Sequence, residues 1–523
     1  MRRLPIGVQG FESLRHDGYL YVDKTKYICE LVHSGKQYFL SRPRRFGKSL
    51  FLSALRAYWE GKKELFEGLE IVKLEEGNPE AWQPYPVFYF DFNGKNYQEA
   101  TALEAVLDKQ LREWEAVYGG DSTRPLEERF QKLLVAASQK YGKRCVVLVD
   151  EYDKPLLEVL HDAALEEHNK AVFKGFFGTL KSYDEYLQFV FFTGVTKFSK
   201  VSIFSDLNQM EDISMDWEYD AICGITEEEM KHTFMPEIRN MAKAQQVTEE
   251  ECLATLKEMY DGYHFCQNSV GVYNPFSLLN ALKKRTFSSY WFATGTPTFL
   301  VNKLKHCAFD VRRFSNRTLY ANELALSDYR ADNPDPVPLL YQTGYLTIID
   351  YDARRKRYTL GFPNEEVEYG FLESLMPAYA PASLPGTGKD IFALDDCIES
   401  GDTEGVKDIL TALFASIPYA TGEAPFEHYF ETVIYLVFTL LGKFTQCEVH
   451  SGKGRADCVV EVQDYVYLFE FKLDQSADAA LAQIEEKQYA LPYAADTRKL
   501  FKIGVNFDSG ARNLTEWKVV EKD

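Results

Sequence analysis

The sequence predicts an α/β protein in which two separate sheets are joined by a largely helical middle. Three observations predict this class. Apolar runs alternate with amphipathic stretches between residues 37 and 225, as in strands and helices wound around a parallel sheet. Helical spacing with charged faces follows from Glu227 to about Tyr260. Near the C-terminus, two strand-like segments flank a two-residue turn.

The first sheet is predicted to consist of short apolar strands followed by helices. A continuous apolar run is typical of a strand buried on both faces of a parallel sheet. The predicted strands cover residues 38–40, 87–92, 146–149 and 189–192, and the predicted helices cover residues 50–59, 100–117, 168–183 and 219–225.

The turn after the first strand has the pattern of a phosphate-binding loop, which reads Arg42-Pro43-Arg44-Arg45-Phe46-Gly47-Lys48-Ser49. In such a loop, backbone N–H groups and a helix N-terminus surround the phosphates, a lysine reaches the outer phosphates, and a serine hydroxyl ligates Mg²⁺. Gly47, Lys48 and Ser49 are expected to fill these roles in an ATP site.

The rest of this loop departs from the usual pattern. Arg42 stands where glycine is normally found, so the turn must be made differently. We expect the basic cluster at residues 42–45 to serve the nucleotide phosphates. Arg44 and Arg45 are candidates for contact with the γ-phosphate, and Phe46 belongs to the same nucleotide-binding segment.

Two acids end the predicted strand at residues 146–149, at the strand end where ligand chemistry occurs in parallel sheets. Asp150 is expected to hold Mg²⁺, and Glu151 to orient the water that attacks the γ-phosphate. Thr193 ends the next strand and suits a polar sensor beside the phosphate. The alternative is that the acids only cap a helix; the order and spacing of the signatures favour a nucleotide site.

A second group of candidate residues lies on a predicted hairpin, residues 454–472. If residues 463–464 form the turn, antiparallel pairing places Asp457 opposite Glu470. Lys472 lies on the same face as Glu470, because side chains alternate along a strand. Two facing carboxylates repel each other unless they share a cation or a proton.

This group has the composition of a site for Mg²⁺-dependent phosphodiester cleavage, in which Mn²⁺ can substitute. Asp457 and Glu470 are the expected metal ligands, and Lys472 is expected to position the water. A third carboxylate is expected from the preceding helix, with Glu427 as first choice and Glu431 as second. The alternative is an exposed sheet edge on which the acids are only solvated.

Composition and charge limit the class of protein. A chain of 523 residues is expected to form about three domains. The net charge of −20 argues against a protein that coats nucleic acid, but it does not exclude a local site. The basic run at residues 354–357 is predicted to tip a β-hairpin, as a solvated turn or as a nucleic-acid contact.

Nine cysteines show no paired spacing such as Cys-x-x-Cys, so buried thiols in a reducing cytosol are expected and a zinc site is not. No window reaches the ~18 apolar residues expected of a membrane span. These observations predict a soluble, cytoplasmic protein without a membrane partner.

Shifts in composition divide the chain into an N-terminal domain at 1–226, a middle region at 227–375, a linker at 376–390 and a C-terminal domain at 391–523.

The motifs together resemble those of bacterial AAA-ATPase-like proteins that carry a C-terminal PD-(D/E)XK nuclease domain. Beyond the residues above, the resemblance rests on residues 21–25, 193–199, 260–263, 273–277 and 361–364. It implies a P-loop NTPase of the additional-strand, catalytic-glutamate type, a helical and winged-helix-like middle, and a restriction-endonuclease-like α/β domain at the end.

By position, the resemblance assigns ATPase roles to Lys48, Ser49, Asp150 and Glu151, and nuclease roles to Glu427, Asp457, Glu470 and Lys472. Gln483 resembles a glutamine that related nucleases place beside the active site; a polar helix face is the alternative.

Two functions remain open at this point. The favoured one is an ATP-binding and ATP-hydrolysing protein coupled to a Mg²⁺-dependent DNA nuclease, in defence or mobile-element biology, as a homo-oligomer or with a regulatory protein partner. The other is a nucleotide-gated switch whose C-terminal domain binds nucleic acid or a partner without cleaving it.

Overall fold

The computed structural model describes most of the chain. Outside the description are residues 1, 161, 198–209, 293–299, 302, 305–306, 308, 315–318, 328–334, 380–386, 416–425, 441–443, 452–453, 512 and 523, and also the side chains at 312, 376–379, 387–392, 426–431, 444–451, 454–456 and 522. The chain forms two compact units: Met1–Thr294 with Tyr320–Glu366, and Gly295–Leu319 with Val367–Asp523.

The first unit contains a parallel sheet flanked by helices, as predicted. Its strands are β1 (Gln37–Ser41), β2 (Val87–Asp91), β3 (Cys145–Asp150), β4 (Leu187–Gly194) and β5 (Glu211–Asp212), in the spatial order β2-β3-β4-β1-β5. Every residue of β3 is buried, which explains its uninterrupted apolar sequence. Because β4 lies between β1 and β3, the ends of these three strands meet at one edge.

The helices of this part include the one that follows the phosphate-binding loop. They are α1 (Phe11–His16), α2 (Thr25–Ser34), α3 (Lys48–Trp59), α4 (Glu70–Leu74), α5 (Ala102–Tyr118), α6 (Leu126–Tyr141), α7 (Lys154–Leu157) and α8 (Ala163–Ser182).

The helix predicted at residues 219–225 is wrong. A 3₁₀ turn at Trp217–Tyr219 is followed by β6 (Ile225–Thr226), which pairs with β7 (Val272–Tyr273). Gly224 has a φ of +89°, in the left-handed region that ends helical geometry. The partner strand lies almost fifty residues further along the chain, so local sequence does not reveal it.

The helical stretch after Thr226 is confirmed and is divided by two capping boxes. Thr226 and Thr248 each accept a hydrogen bond from the third helical N–H, and a glutamate at that position returns one. The helices are α9 (Glu227–Gln245), α10 (Glu249–Tyr260), α11 (Pro275–Lys284), α12 (Glu323–Ser327) and α13 (Val337–Gln342).

The predicted hairpin in this region is also present. It consists of β9 (Thr347–Asp352) and β10 (Arg357–Gly361), and β8 (Leu319–Ala321) adds a third strand in the order β8-β10-β9. Residues 353–356 form its exposed turn, which holds most of the basic run.

Three of the sequence motifs pack together in this unit. The side-chain amide of Asn364 donates to the Asp261 carbonyl at 2.7 Å, and the N–H of Asn274 donates to the Tyr260 carbonyl at 3.0 Å. Gly262, with a φ of +90°, lies so close to Pro363 that an added Cβ would be 2.0 Å from its carbonyl oxygen. The motifs at residues 260–263, 273–277 and 361–364 thus pack into one cluster, which we call the junction of motifs.

Gly262→Ala should therefore destabilise the protein by about 2–4 kcal/mol, because both the left-handed backbone and the contact with Pro363 exclude a side chain. Gly94→Ala is the matched control: its φ is +78°, but nothing lies within 4 Å of the added Cβ, so a loss of only about 1 kcal/mol is expected. Urea unfolding of both variants measures the difference, and equal losses would refute the role of the close contact.

The second unit contains a five-stranded mixed sheet in the order β11-β12-β13-β14-β15. The strands are β11 (Phe444–Ser451), β12 (Gly454–Glu461), β13 (Tyr465–Leu473), β14 (Lys499–Asp508) and β15 (Asn513–Lys522). The helices are α14 (Glu365–Tyr379), whose first two residues belong to the first unit, α15 (Thr387–Ser400), α16 (Thr403–Ala415), α17 (Phe426–Leu440) and α18 (Ala477–Lys487). Helix α18 connects β13 to the parallel strand β14 and packs on both.

The units divide the chain differently from the predicted segments. Residues 227–294 and 320–366 of the predicted middle share a unit with the N-terminal sheet. Within the predicted linker, residues 376–379 belong to α14 and residues 387–390 to α15, while 380–386 lie outside the described residues. In the described part of the chain, no helix is long and apolar enough to cross a bilayer.

Candidate functional site

The predicted phosphate-binding loop connects β1 to the N-terminus of α3. Gly47 caps the helix with a φ of +96°, a left-handed conformation that favours glycine. Lys48 is the first helical residue, and its buried ammonium donates to the backbone carbonyls of Arg42 (3.0 Å) and Pro43 (3.1 Å). The ammonium thus lies inside the loop, where phosphate oxygens would compete with these carbonyls.

The Arg42 side chain bonds to the protein's own backbone and is not available to a ligand. This corrects the expectation that the whole basic cluster serves phosphates. The side chain is buried, with its guanidinium 4.1 Å from the ring centroid of Phe265. It donates to the carbonyls of Ser41 (2.9 Å), Ser214 (2.7 Å) and Tyr219 (3.0 Å). Arginine therefore closes this turn by joining distant segments, where other loops rely on glycine.

Arg44 and Arg45 remain exposed on the loop. Arg45 has a φ of +69°, and its guanidinium lies 5.2 Å from the ring centroid of Phe276. The backbone carbonyl of Arg44 accepts a hydrogen bond from the indole of Trp291 at 3.3 Å. Both side chains are accessible to a ligand, unlike that of Arg42.

Asp150 lies beside the loop at the end of β3. Its carboxylate is 2% exposed and accepts hydrogen bonds from the hydroxyls of Thr193 (2.7 Å), Tyr89 (3.3 Å) and Ser49. Burial raises the pKa of Asp150, and the hydrogen bonds from Thr193 and Ser49 oppose the shift. The structure thus brings Ser49 and Asp150, the oxygen donors expected for Mg²⁺ at a nucleotide, together with Thr193, the expected polar sensor.

Glu151 follows directly, with a φ of +52° that is unusual for a residue with a side chain. Sequence reasoning missed the next acid, Asp153, which is fully buried and accepts from the N–H groups of Val195 (2.9 Å) and Thr196 (2.6 Å). Burial raises the pKa of Asp153 to about 6. The sequence does contain a sign of this residue, because Asp153 is the third acid within four residues at the end of the strand.

The junction of motifs contacts the phosphate-binding loop. Phe46 is buried against the ring of Tyr263, with centroids 4.7 Å apart. Trp291, which holds the loop through its indole, also donates its backbone N–H to the carboxylate of Glu366 at 2.7 Å. Burial raises the pKa of Glu366 to about 7. These links were not predictable, because the partners are separated by some 75 to 250 residues.

The second site is built on the hairpin β12–β13. Val459 pairs with Leu468, which confirms the predicted register. The N–H of Val462 donates to the Tyr465 carbonyl at 3.0 Å across the two-residue turn. Because the register is the predicted one, Asp457 and Glu470 lie opposite each other at the end of the paired segment.

The acids and the lysine meet at this point. The Glu470 carboxylate is 0% exposed, and its Oε1 accepts from the ammonium of Lys472 at 3.0 Å. Asp457 Oδ2 accepts from the N–H of Phe471 at 2.8 Å. Glu470 Oε2 is buried and has no hydrogen-bond partner among the described residues. A buried carboxylate oxygen without a donor fits a cation ligand.

Burial and the neighbouring Asp457 raise the pKa of Glu470 to about 7, against 4.5 for an ordinary glutamate. Glu470 therefore binds its proton more tightly in the folded state than in the unfolded state. This stabilisation of the folded state is complete below about pH 4.5 and is lost as the pH rises through 7.

In EDTA, wild type should lose stability on the order of 2 kcal/mol between pH 5 and 8 through this group, and Glu470→Gln should remove that part of the decline. Urea unfolding across this range measures both proteins, and comparison with the variant separates Glu470 from other buried acids. Equal pH dependence in the two proteins would contradict the assignment.

The remaining nuclease candidates are less defined. Glu427 and Glu431 fall within α17, but their side chains lie outside the described residues. Gln483 lies on α18 and donates to the Tyr489 hydroxyl at 3.3 Å.

Two family models match the chain. Residues 5–204 match a predicted AAA-ATPase, and residues 425–517 match the PD-(D/E)XK nuclease superfamily. The chain is 36% identical over 533 residues to an uncharacterized protein in the vnfD 5′ region of Azotobacter chroococcum mcd 1, with 99% of each chain covered.

A solved structure, the Aeropyrum pernix ORC2 protein in ADPNP and ADP complexes, is 10% identical at a TM-score of 0.23, with 67% of this chain and 92% of that chain covered. The family models and the full-length match together show that this chain belongs with the Azotobacter protein to a family in which a predicted AAA-ATPase domain is followed by a PD-(D/E)XK nuclease superfamily domain.

Proposed function

We propose that this protein binds and hydrolyses ATP in its first unit and that this cycle controls Mg²⁺-dependent cleavage of DNA by its C-terminal domain. The observation that carries the nuclease proposal is the meeting of Asp457, Glu470 and Lys472, with Glu470 Oε2 buried and without a hydrogen-bond donor among the described residues. A domain that only binds a partner has no physical need to bury such a group.

For ATP, the loop supplies the binding groups and the strand ends supply the chemistry. Lys48 and the N-terminus of α3 would hold the phosphates, and Arg44 and Arg45, exposed on the same loop, are the proposed contacts with the γ-phosphate. Ser49 and Asp150 would hold Mg²⁺, Thr193 would fix the Asp150 carboxylate, and Glu151 would orient the attacking water.

For DNA cleavage, Asp457 and Glu470 would hold the metal, with Glu427 as the proposed third carboxylate. A bound Mg²⁺ or Mn²⁺ supplies a Lewis acid for the phosphate and lowers the pKa of a water. Lys472, held at 3.0 Å from Glu470, would orient that water and balance charge on the phosphate. We propose DNA as the substrate and defence or mobile-element biology as the setting.

The test is cleavage of linear, circular and single-stranded DNA by the full-length protein, with Mg²⁺ or Mn²⁺ and with or without ATP. Metal-dependent cleavage that responds to ATP supports the proposal. If the protein binds ATP but cuts none of these substrates with either metal, the nucleotide-gated switch is the better description.

A further inference from the structure

A separate group of metal-ligating side chains lies in the first unit. The sulfur of Cys29, a ring nitrogen of His33 and a carboxylate oxygen of Glu75 all lie within 4.8 Å of one another. Cys29 and His33 are one helical turn apart on α2 and so share a face. Glu75 directly follows α4, which packs against α2. None of the three belongs to either site described above.

Other side chains already hold the Glu75 carboxylate in place. It is almost fully buried and accepts from the Tyr58 hydroxyl (2.8 Å) and the Asn78 amide (2.6 Å), while the Nε2 of His33 is 3.0 Å away. Metal-binding carboxylates are commonly oriented by outer hydrogen bonds of this kind. The His33 side chain is half exposed, which leaves a route for an ion and room for a water ligand.

We propose that Cys29, His33 and Glu75 bind a Zn²⁺ ion. A thiolate, an imidazole and a carboxylate suit zinc, whereas Mg²⁺ and Ca²⁺ prefer oxygen ligands alone. Bonds of about 2.0–2.3 Å place the donors of a tetrahedral zinc site about 3.3–3.8 Å apart. Donors that already lie within 4.8 Å need only small side-chain rotations to reach this spacing.

Charge also favours the ion. A Cys29 thiolate and the Glu75 carboxylate together balance a divalent cation, so the buried group becomes neutral. Without the ion, the buried carboxylate has only neutral donors and a half-exposed histidine as partners. Zinc would tie α2 to α4 and, through Tyr58, to the end of α3. Because α2 leads into β1, the ion would brace the strand that carries the phosphate-binding loop.

The experiment uses the full-length protein, stripped of metal with EDTA and titrated with Co²⁺ as a spectroscopic substitute for Zn²⁺. Wild type should bind one Co²⁺ with a thiolate-to-metal absorption band, which Zn²⁺ then displaces. The carboxylate sites cannot produce this band, because they contain no thiol. Cys29→Ser should abolish the band, and His33→Gln, at a half-exposed position that folding tolerates, should weaken binding at least about tenfold.

Cys397→Ser is the matched control, since Cys397 is also a partly buried thiol beside a carboxylate, that of Asp402, but lies in the second unit. It should leave the band and the affinity unchanged. The proposal is overturned if wild type shows no thiolate band at equimolar Co²⁺, or if Cys29→Ser and His33→Gln bind like wild type.

Discussion

Asp457→Asn is expected to lower DNA cleavage by at least about 100-fold. The substitution removes one negative charge from the proposed metal site, and loss of even an outer partner of a metal ligand typically costs 10- to 100-fold. The amide oxygen of asparagine can still accept the N–H of Phe471, which Asp457 Oδ2 accepts at 2.8 Å. The hairpin should therefore keep its register while the metal is lost. Initial rates of cleavage at several Mg²⁺ concentrations measure the effect.

The matched control for this variant is Asp464→Asn, which removes the same charge from the exposed turn of the same hairpin. Its cleavage rate should stay within about twofold of wild type, because an exposed charge at this distance is screened by solvent. Equal rates for Asp457→Asn and wild type would show that Asp457 is not a metal ligand for this cleavage.

The hairpin illustrates what the sequence predicts well. A two-residue turn and strict alternation define the register of antiparallel strands, so the relation of Asp457 to Glu470 follows from residue spacing alone. The same is true of the parallel sheet, whose apolar runs reflect burial on both faces. Glu470 could be recognised as a candidate ligand because period-two alternation places it on the face of Lys472.

Arg42 shows where such reasoning stops. Its sequence context is a phosphate-binding loop, yet two of its three carbonyl partners lie more than 170 residues away. Trp291 likewise reaches the loop from a distant part of the chain, and Glu366 in turn accepts the backbone N–H of Trp291. These roles depend on tertiary contacts between irregular segments, for which neither periodicity nor turn chemistry provides a signal. Cys29 and His33 give no zinc signal in the sequence for a simpler reason: their four-residue spacing is that of one helical turn, and neither belongs to a pair of closely spaced cysteines.

The second large effect is expected for ATP hydrolysis. Glu151→Gln should lower the hydrolysis rate at least about 100-fold while ATP affinity stays within about threefold, because an amide cannot act as the base that activates water. Lys48→Ala should instead weaken ATP binding at least about tenfold, through loss of a charged hydrogen-bond donor to the phosphates.

The control for both variants is Glu167→Gln, at a position on α8 that is 75% exposed, which should change neither the hydrolysis rate nor the ATP affinity. Phosphate release and equilibrium binding of labelled ATP separate the two effects; a Glu151→Gln variant that hydrolyses ATP at the wild-type rate would exclude its proposed role.

The same pair of variants decides how ATP would control the nuclease. Glu151→Gln should hold ATP without consuming it, whereas Lys48→Ala should bind it poorly. If the bound state alone permits cleavage, Glu151→Gln will cut DNA in the presence of ATP at least as fast as wild type, and Lys48→Ala will not. If cleavage needs turnover, both variants will be inactive while Asp457 and Glu470 remain intact. Cleavage that is equal in all three proteins would mean that the two sites are uncoupled, since a ligand shifts a conformational equilibrium only by its difference in affinity for the two states.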